Sequence, residues 1–275
     1  MDPFADPVAD PFEIARDAAA EIARRTGVEQ HEIALVLGSG WGGTTAALGE
    51  IVAEIPAHEV PGFSKPAVHG HGGTLTSVRV GETGAHALVI AARTHFYEDR
   101  GVRAVAHGVR TAAECGARTV ILTNGCGGLD PTWSTGTVVL ISDHINLTGA
   151  SPLEGATFVD LTDLYSSRLR ELAHEVDPSL PEGVYVQFRG PHYETPAEVA
   201  MAGIMGGHLV GMSTSLEAIA ARHAGLEVLG ISLVTNPAAG ISPAALSHEE
   251  VIAAGQAARD RIGTLLAGIT ERIIA

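Results

Sequence analysis

Several short stretches of this chain set glycine beside hydroxyl, guanidinium, imidazole or carboxylate groups, as a site for an anion or a heterocycle requires. Gly38-Ser39-Gly40-Trp41-Gly42-Gly43 satisfies G-x-G-x-x-G, after a short apolar run and before an expected helix, which invites a dinucleotide. A serine hydroxyl beside exposed backbone amides also suits a single phosphate group. In Arg93-Thr94-His95-Phe96-Tyr97-Glu98 the arginine and histidine stand two residues apart, so an extended segment projects them to one side. Arg93 can hold two oxygens of an anion in its planar fork, and His95 can add a third donor. The plainer reading pairs Arg93 with a carboxylate such as Glu98. In Thr123-Asn124-Gly125-Cys126-Gly127-Gly128, read as a strand passing into a loop, glycine lets the backbone approach a ligand. Cys126 is a nucleophile by type, but nothing beside it in sequence would activate it, and a space-filling role is expected.

Gly190-Pro191-His192-Tyr193-Glu194-Thr195 joins an aromatic face to a carboxylate. The pair could stack on a heterocycle and accept its ring N–H, or Glu194 could simply complement the dipole of the following helix. In Gly211-Met212-Ser213-Thr214 one hydroxyl is expected to cap the next helix, leaving the other to meet an anion. Thr235-Asn236-Pro237 presents an amide side chain at the end of a strand, and His248 falls in the first turn of the last helix. His69-Gly70-His71 is suggestive of metal, but there is no H-E-x-x-H and no cysteine cluster, so no metal site is expected.

The elements that must position these groups follow from apolar patterning. Asp10-Pro11 reads as a cap and first turn, opening a helix that ends near Gly27. Continuous or alternating apolar runs predict strands at 33–37, 75–80, 87–91, 119–123, 138–141, 184–188 and 228–234. Helical patterns fall at about 102–115, 161–176, 196–206 and 215–224. The last helix is read from Ser247, with Glu250 three residues on as a capping box, nearly to Ala275. Strands alternating with helices predict an α/β fold with a mostly parallel or mixed sheet covered on both faces. Residues 1–10 read as a mobile tail and 11–275 as one domain, because no repeat, low-complexity tract or linker interrupts them. In such folds ligands gather where strands end in glycine-rich loops.

Composition narrows the partners. The 275 residues carry 17 Lys and Arg against 32 Asp and Glu, a formal net charge of −15, which disfavours nucleic acid and anionic membrane. An anionic small molecule then needs local donors strong enough to overcome the general field. Cys115 and Cys126 are too few for a disulfide framework, the acidic, proline-broken start is unlike a signal peptide, and no apolar run would span a bilayer. A cytoplasmic address is expected.

Taken together, GSGWGG, RTHFYE, TNGCGGL, DHINL, GPHYETPAE, VGMSTSLEAIAARH, SLVTN and SHEEVIAAG resemble, in order and wording, the trimeric purine nucleoside phosphorylases, over about residues 33–260. The resemblance implies a central mixed, partly barrel-like sheet flanked by helices, purine salvage chemistry with no cofactor, and a homotrimer. It assigns phosphate to Ser39, His71, Arg93, His95, Ser213 and the Gly125 amide. It assigns ribose to Tyr97, Met212 and His248, with Phe158 crossing from a neighbouring subunit. Tyr193, Glu194 and Asn236 fall at purine positions, and Asn236, Glu194 and His95 are the expected catalytic groups. The chain departs from the family at Gly125-Cys126, where Ala-Ala is usual, at Tyr193 in place of phenylalanine, and at Pro237, which biases Asn236 toward an extended backbone.

This resemblance implies phosphorolysis of inosine and guanosine, as ribo- or deoxyribonucleosides, to base and α-(deoxy)ribose 1-phosphate. Asn236 would accept from N7–H and donate to a 6-oxo group, while Glu194 accepts from N1–H; adenine mismatches both contacts. Methylthioadenosine phosphorylase is the nearest rival, but it is expected to carry aspartate at position 236 and an apolar pocket at 248. An NAD-dependent oxidoreductase built on GSGWGG, with Glu59 as its downstream acid, leaves the later motifs unexplained. A non-catalytic nucleoside-binding protein has no need of the phosphate donors.

Overall fold

The computed structural model describes residues 3–6, 9–65, 73–241 and 248–275. Helix α1 (Pro11–Thr26) begins as its sequence directs: the Asp10 carboxylate accepts from the Phe12 amide at 2.9 Å, and proline fills the first turn. It ends at Gly27, whose φ of 71° is the left-handed conformation that glycine adopts without a Cβ penalty. The strands are β1 (Ile33–Val36), β2 (Gly49–Pro56), β3 (Thr74–Val80), β4 (His86–Ile90), β5 (Thr119–Gly128), β6 (Val138–Asn146), β7 (Glu182–Gln187), β8 (Leu209–Gly211) and β9 (Glu227–Pro237). The remaining helices are α2 (Gly101–Glu114), α3 (Ser167–Val176), α4 (Pro196–Ile204), α5 (Ser215–His223) and α6 (His248–Ile274).

Among the described residues the strands form one sheet in the order β2-β3-β4-β1-β5-β8-β7-β6-β9, with β9 also pairing with β5. The last five strands thus close into a mixed barrel, and the first four fan out from its β5 wall. Strands β1 and β5 are buried along almost their whole length, which is why they read as unbroken apolar runs. One apolar cluster packs α1, α2 and α5 against the sheet, and a second packs α3 and α6 against it.

Several features differ from the sequence reading. GSGWGG does not open a helix: the chain passes through a 3-10 turn at Thr45–Ala47 into β2, so the loop does not run into a helix N-terminus of its own. Glu59 stands in a 3-10 turn and pairs with Arg25 at 2.8 Å, not at the end of a second parallel strand as a ribose-binding acid would. TNGCGG belongs to β5 throughout, paired with β9 along its length, and is not a loop. The helix expected from 161 begins at 167, because the Ser166 hydroxyl caps it by accepting from the Leu169 amide, while Leu164 and Tyr165 are buried ahead of it. Strands β2 and β8 escape pattern reading for separate reasons. The first is an edge strand whose Ile51 is 46% and Val52 37% exposed, so apolar residues do not mark its inner face; the second has three residues. Ser247 lies outside the described residues.

Candidate active site at the mouth of the barrel

The site begins with an edge that changes partner. Strand β5 pairs with β1 as far as Leu122 and with β8 from Gly127, while β9 covers its other edge throughout. Residues 123–126 are left without a strand on one side, and side chains and loops take that place. Thr123 O accepts from Arg93 Nη1 at 2.6 Å, Thr123 Oγ1 from the Gly38 amide at 3.0 Å, and Asn124 O from Trp41 Nε1 at 2.8 Å. Trp41 is therefore a fully buried brace between the first glycine loop and β5. Gly38 has no room for a side chain: a Cβ would stand 2.4 Å from Arg93 Nη1 and 2.5 Å from Thr123 O. Behind the loop, a Cβ on Gly255 of α6 would stand 2.4 Å from Gly40 Cα, so helix and loop touch backbone to backbone.

Arg93 is the charged centre of this region. Its Nε donates to Glu217 Oε1 at 3.0 Å, with the two side chains 1% and 4% exposed. Its Nη2 is buried with no hydrogen-bond partner among the described residues. The pairing with Glu98 does not occur; Glu98 instead accepts from the His95 backbone amide at 2.7 Å and lies 3.1 Å from His95 Nδ1. The His95 ring also stacks on Tyr97, centroids 4.8 Å apart and 12° from parallel. Burial, reinforced by Glu98, pushes the Tyr97 hydroxyl up to about 12, so it stays a neutral donor through the physiological range.

Glu217 has a second task. Its Oε2 accepts from the Thr214 amide at 3.0 Å, linking Arg93 to the turn before α5. That turn is strained: Thr214 has φ 82° and ψ −55°, and the Ser215 amide donates to Ser213 O at 3.0 Å, a γ-turn of the uncommon hand. Buried partners hold it from every side. Asn124 Nδ2 donates to Thr214 Oγ1 at 3.0 Å, the Ser213 amide to the Tyr185 hydroxyl at 3.3 Å, and the Ser215 amide to Gln187 Oε1 at 2.8 Å. Strain of this kind, of order 1–3 kcal/mol, persists where surrounding contacts over-determine it. Thr214 occupies the N-cap position and Ser213 lines the cavity.

A cavity of about 310 Å³ opens above these groups, at the small end of the usual range for ligand pockets of about 300–1,000 Å³. Ser39, Arg93, His95, Gly125 and Ser213 line it together with Tyr97, Met212, Tyr193, Glu194 and Asn236. Ten of the residues singled out in the sequence thus meet in one space. Phe158 does not join them; it stands on the surface, 94% exposed. His71 lies outside the described residues, as does the side chain of His248, whose backbone opens α6. Among the described residues no three His, Cys, Asp or Glu side chains gather as metal ligands, and His69 too lies outside them.

The purine-side candidates are shaped by burial. Glu194 is 7% exposed and its Oε1 has no partner among the described residues; burial first, and Glu198 next, raise its carboxyl above the ordinary range. Asn236 follows an irregularity in which Cys126 pairs with Val234 but Gly127 with Asn236, so Thr235 is an extra residue, a bulge. Consecutive strand residues ordinarily point to opposite faces. Here Thr235 and Asn236 both line the cavity. Cys126 is buried, its thiol pushed up to about 12 by desolvation and donating to Leu233 O at 3.4 Å, which fits the space-filling role and not a nucleophile. Asn124, Glu217 and Thr235 were not marked as site residues in the sequence. All three lie inside the motif words, but their importance depends on the open β5 edge, on the pairing with Arg93 and on the bulge, which spacing does not reveal.

Comparison with known proteins agrees with this geometry. The family model described as the phosphorylase superfamily matches residues 32–271. A purine nucleoside phosphorylase of Cellulomonas sp is 69% identical over 98% of this chain and 97% of its own length. That of Mycobacterium tuberculosis is 56% identical over 98% of this chain and all of its own. Among solved structures, the Schistosoma mansoni purine nucleoside phosphorylase in complex with inosine superimposes with a TM-score of 0.84 at 31% identity, covering 94% of this chain and 96% of that one. A barrel mouth that unites guanidinium, imidazole and hydroxyl donors with a buried carboxylate and an amide, on a chain so closely matched along its length, makes this protein a member of the purine nucleoside phosphorylases within the phosphorylase superfamily.

Proposed function

We propose that the chain carries out reversible phosphorolysis of 6-oxopurine ribo- and deoxyribonucleosides, with inorganic phosphate as co-substrate and no cofactor, to give the free base and α-(deoxy)ribose 1-phosphate. The observation that carries this reading is that one cavity holds both sets of groups the reaction needs. Breaking the N-ribosidic bond builds positive charge on the sugar and negative charge on the leaving base. Ser39, Arg93, His95, Ser213 and the Gly125 amide would hold phosphate; their shared lining of the cavity supports this, with Arg93 Nη2 the donor its own protein partners leave over. Because Glu217 already neutralises Arg93, directed hydrogen bonds more than net charge would fix the anion. Held opposite the base, phosphate stabilises the cationic sugar and attacks C1′ with inversion; such positioning supplies about 7–11 kcal/mol in favourable cases.

On the other side, Asn236 accepts from N7–H and donates to O6 as charge reaches the purine, while ionised Glu194 accepts from N1–H. Tyr193, 37% exposed, offers a stacking face. Tyr97 and Met212 meet at Gly190, where a Cβ would stand 2.5 Å from Met212 Sδ and 3.0 Å from Tyr97 Cδ1, which supports a shared ribose floor. His71 is assigned to phosphate and His248 to the 5′-hydroxyl by the family pattern. Phe158, exposed on one chain, suits the sugar of a neighbouring subunit, and a homotrimer follows from that reading. No helix among the described residues is long and apolar enough to cross a membrane, in keeping with work in the cytoplasm.

The test is release of hypoxanthine from inosine, coupled to urate formation, with and without orthophosphate. Turnover that requires phosphate, with adenosine slower by about 10⁴-fold or more, is expected where a site depends on its substrate's hydrogen bonds. Equal base release after phosphate is removed would show water to be the nucleophile and refute the reading.

A further inference from the structure

The chain from 147 to 166, between β6 and α3, contains no helix or strand, only one isolated bridge at Tyr165. A loop this long inside a folded domain usually serves a function. This one carries Phe158, which is 94% exposed although Leu153 before it and Leu161 after it pack against the core. Helix α2 grips the loop at two points. Its Arg103 and Arg110 stand about two turns apart and so share one face. Arg103 donates from Nε to Glu154 Oε1 at 2.7 Å and from Nη2 to Glu154 Oε2 at 2.6 Å, a two-pronged ion pair. Arg110, which is buried, donates from Nη2 to Pro152 O at 2.9 Å, with its guanidinium over the Phe12 ring. We propose that Arg103 and Arg110 are positioning residues that act across the subunit boundary: through Glu154 and Pro152 they hold the loop as a preformed arm, which presents Phe158 to the sugar bound by a neighbouring copy of this chain. The inference rests on the reading of Phe158 given above and deepens it.

The arm is tied on both sides of the ring it carries. Ahead of it, Thr157 Oγ1 donates to Glu154 O at 2.8 Å, so the residue that Arg103 holds is bonded to the one next to Phe158. Beyond it, Arg222 of α5 donates to Asp160 O at 3.3 Å, and the Asp160 carboxylate accepts from the Thr162 amide at 3.0 Å. A loose loop would fold an apolar ring back onto its own surface to shed water. These anchors hold the ring outward instead, where only a second copy can cover it. Order in the arm then enters binding directly, since apparent affinity falls with the fraction of sites whose arm is in place. Arg103 also donates from Nη1 to Ala9 O at 3.0 Å, ahead of α1, so its ion pair is best broken from the Glu154 side.

Glu154→Ala and Arg110→Met in the full chain test this, each alone and combined with Phe158→Ala, with kcat and KM measured for inosine and for phosphate. Glu154→Ala should raise the KM for inosine by about two- to fivefold, the scale of a surface ion pair. Arg110→Met should raise it by about tenfold, the scale of a buried hydrogen bond from a charged group. Neither should change the KM for phosphate, and neither should raise the KM for inosine further once Phe158 is replaced. An unchanged inosine KM in either folded variant, alongside a raised one in Phe158→Ala, overturns the clamp alone. So does a rise of equal size in the Phe158→Ala background, since the effect then bypasses the ring. A native inosine KM in Phe158→Ala overturns the clamp and the assignment of Phe158 together. Where Arg110→Met fails to fold, Glu154→Ala decides by the same criteria, because its side chain is 50% exposed.

Discussion

Glu194 is a single carboxyl whose environment sets the pH at which it can work. Burial raises its pKa, and Glu198 acts in the same direction, so it takes up a proton at a higher pH than an ordinary glutamate would. The ionised form is the stronger acceptor for N1–H of a 6-oxopurine. Acidification should therefore lower kcat/KM for inosine, with a midpoint above the usual 4.5. Glu194→Gln presents a carbonyl oxygen at every pH. It should show a lower plateau, by about tenfold as a charged acceptor gives way to a neutral one, and no acid limb of its own. Rates of both proteins at matched phosphate and pH cancel the titration of the co-substrate. An identical acid limb in the variant would remove Glu194 from the purine contact. At this scale the sequence was informative about residue types: glycine, serine, arginine, histidine, glutamate and asparagine of the cavity all stand in motif words. It was silent on Glu217, because the arginine it holds lies far away in sequence and only folding brings the two together.

The strained turn before α5 belongs to the scale of elements. A positive φ at a β-branched residue is unfavourable locally, and here it is held by groups from β5, β7 and α5 together. Glu217 is the member that also reaches Arg93. Glu217→Gln leaves the Arg93 cation buried without its counter-charge, a loss of about 3–5 kcal/mol when such pairs are broken. Thermal unfolding should record that loss, and the KM for phosphate should rise while hypoxanthine affinity holds. A phosphate KM equal to the native value would show that the turn and Arg93 are set independently. Element by element, buried strands and capped helices were legible because burial and capping leave marks in composition. The bulge, the exposed edge strand β2 and the three-residue β8 were not: their register depends on partners distant in sequence.

At the scale of the whole molecule, two buried histidines tie stability to pH. Burial, with the nearby His86, lowers His31 to about 4. Burial also lowers His107 to about 4, Arg110 and Arg100 adding to the effect, although the bond to Pro61 O opposes it. As pH falls from the ordinary 6.5 toward 4, the unfolded chain takes up protons that the native fold refuses. Stability is therefore full above about 6.5 and is lost through that window, at about 1.4 kcal/mol per pH unit for each histidine. Glu194 works in the opposite sense, since acid relieves the cost of burying its charge. Chemical denaturation at a series of pH values should show the decline, and His107→Gln should reduce its slope, with His31 and His144, which burial also lowers, supplying the rest. A profile flat from 6.5 to 4 would mean that neither ring is kept neutral inside. Closure of the barrel was not legible from one strand at a time. It follows from the β5–β9 pairing, which joins segments far apart in the chain.

The backbone contact between Gly40 and Gly255 makes the loop that carries Ser39 depend on a helix far from it in the chain. The first glycine loop therefore gains its support only once α6 has docked, and local detachment of that helix would unseat Ser39 while leaving the side of the core formed by α1, α2 and α5 in place.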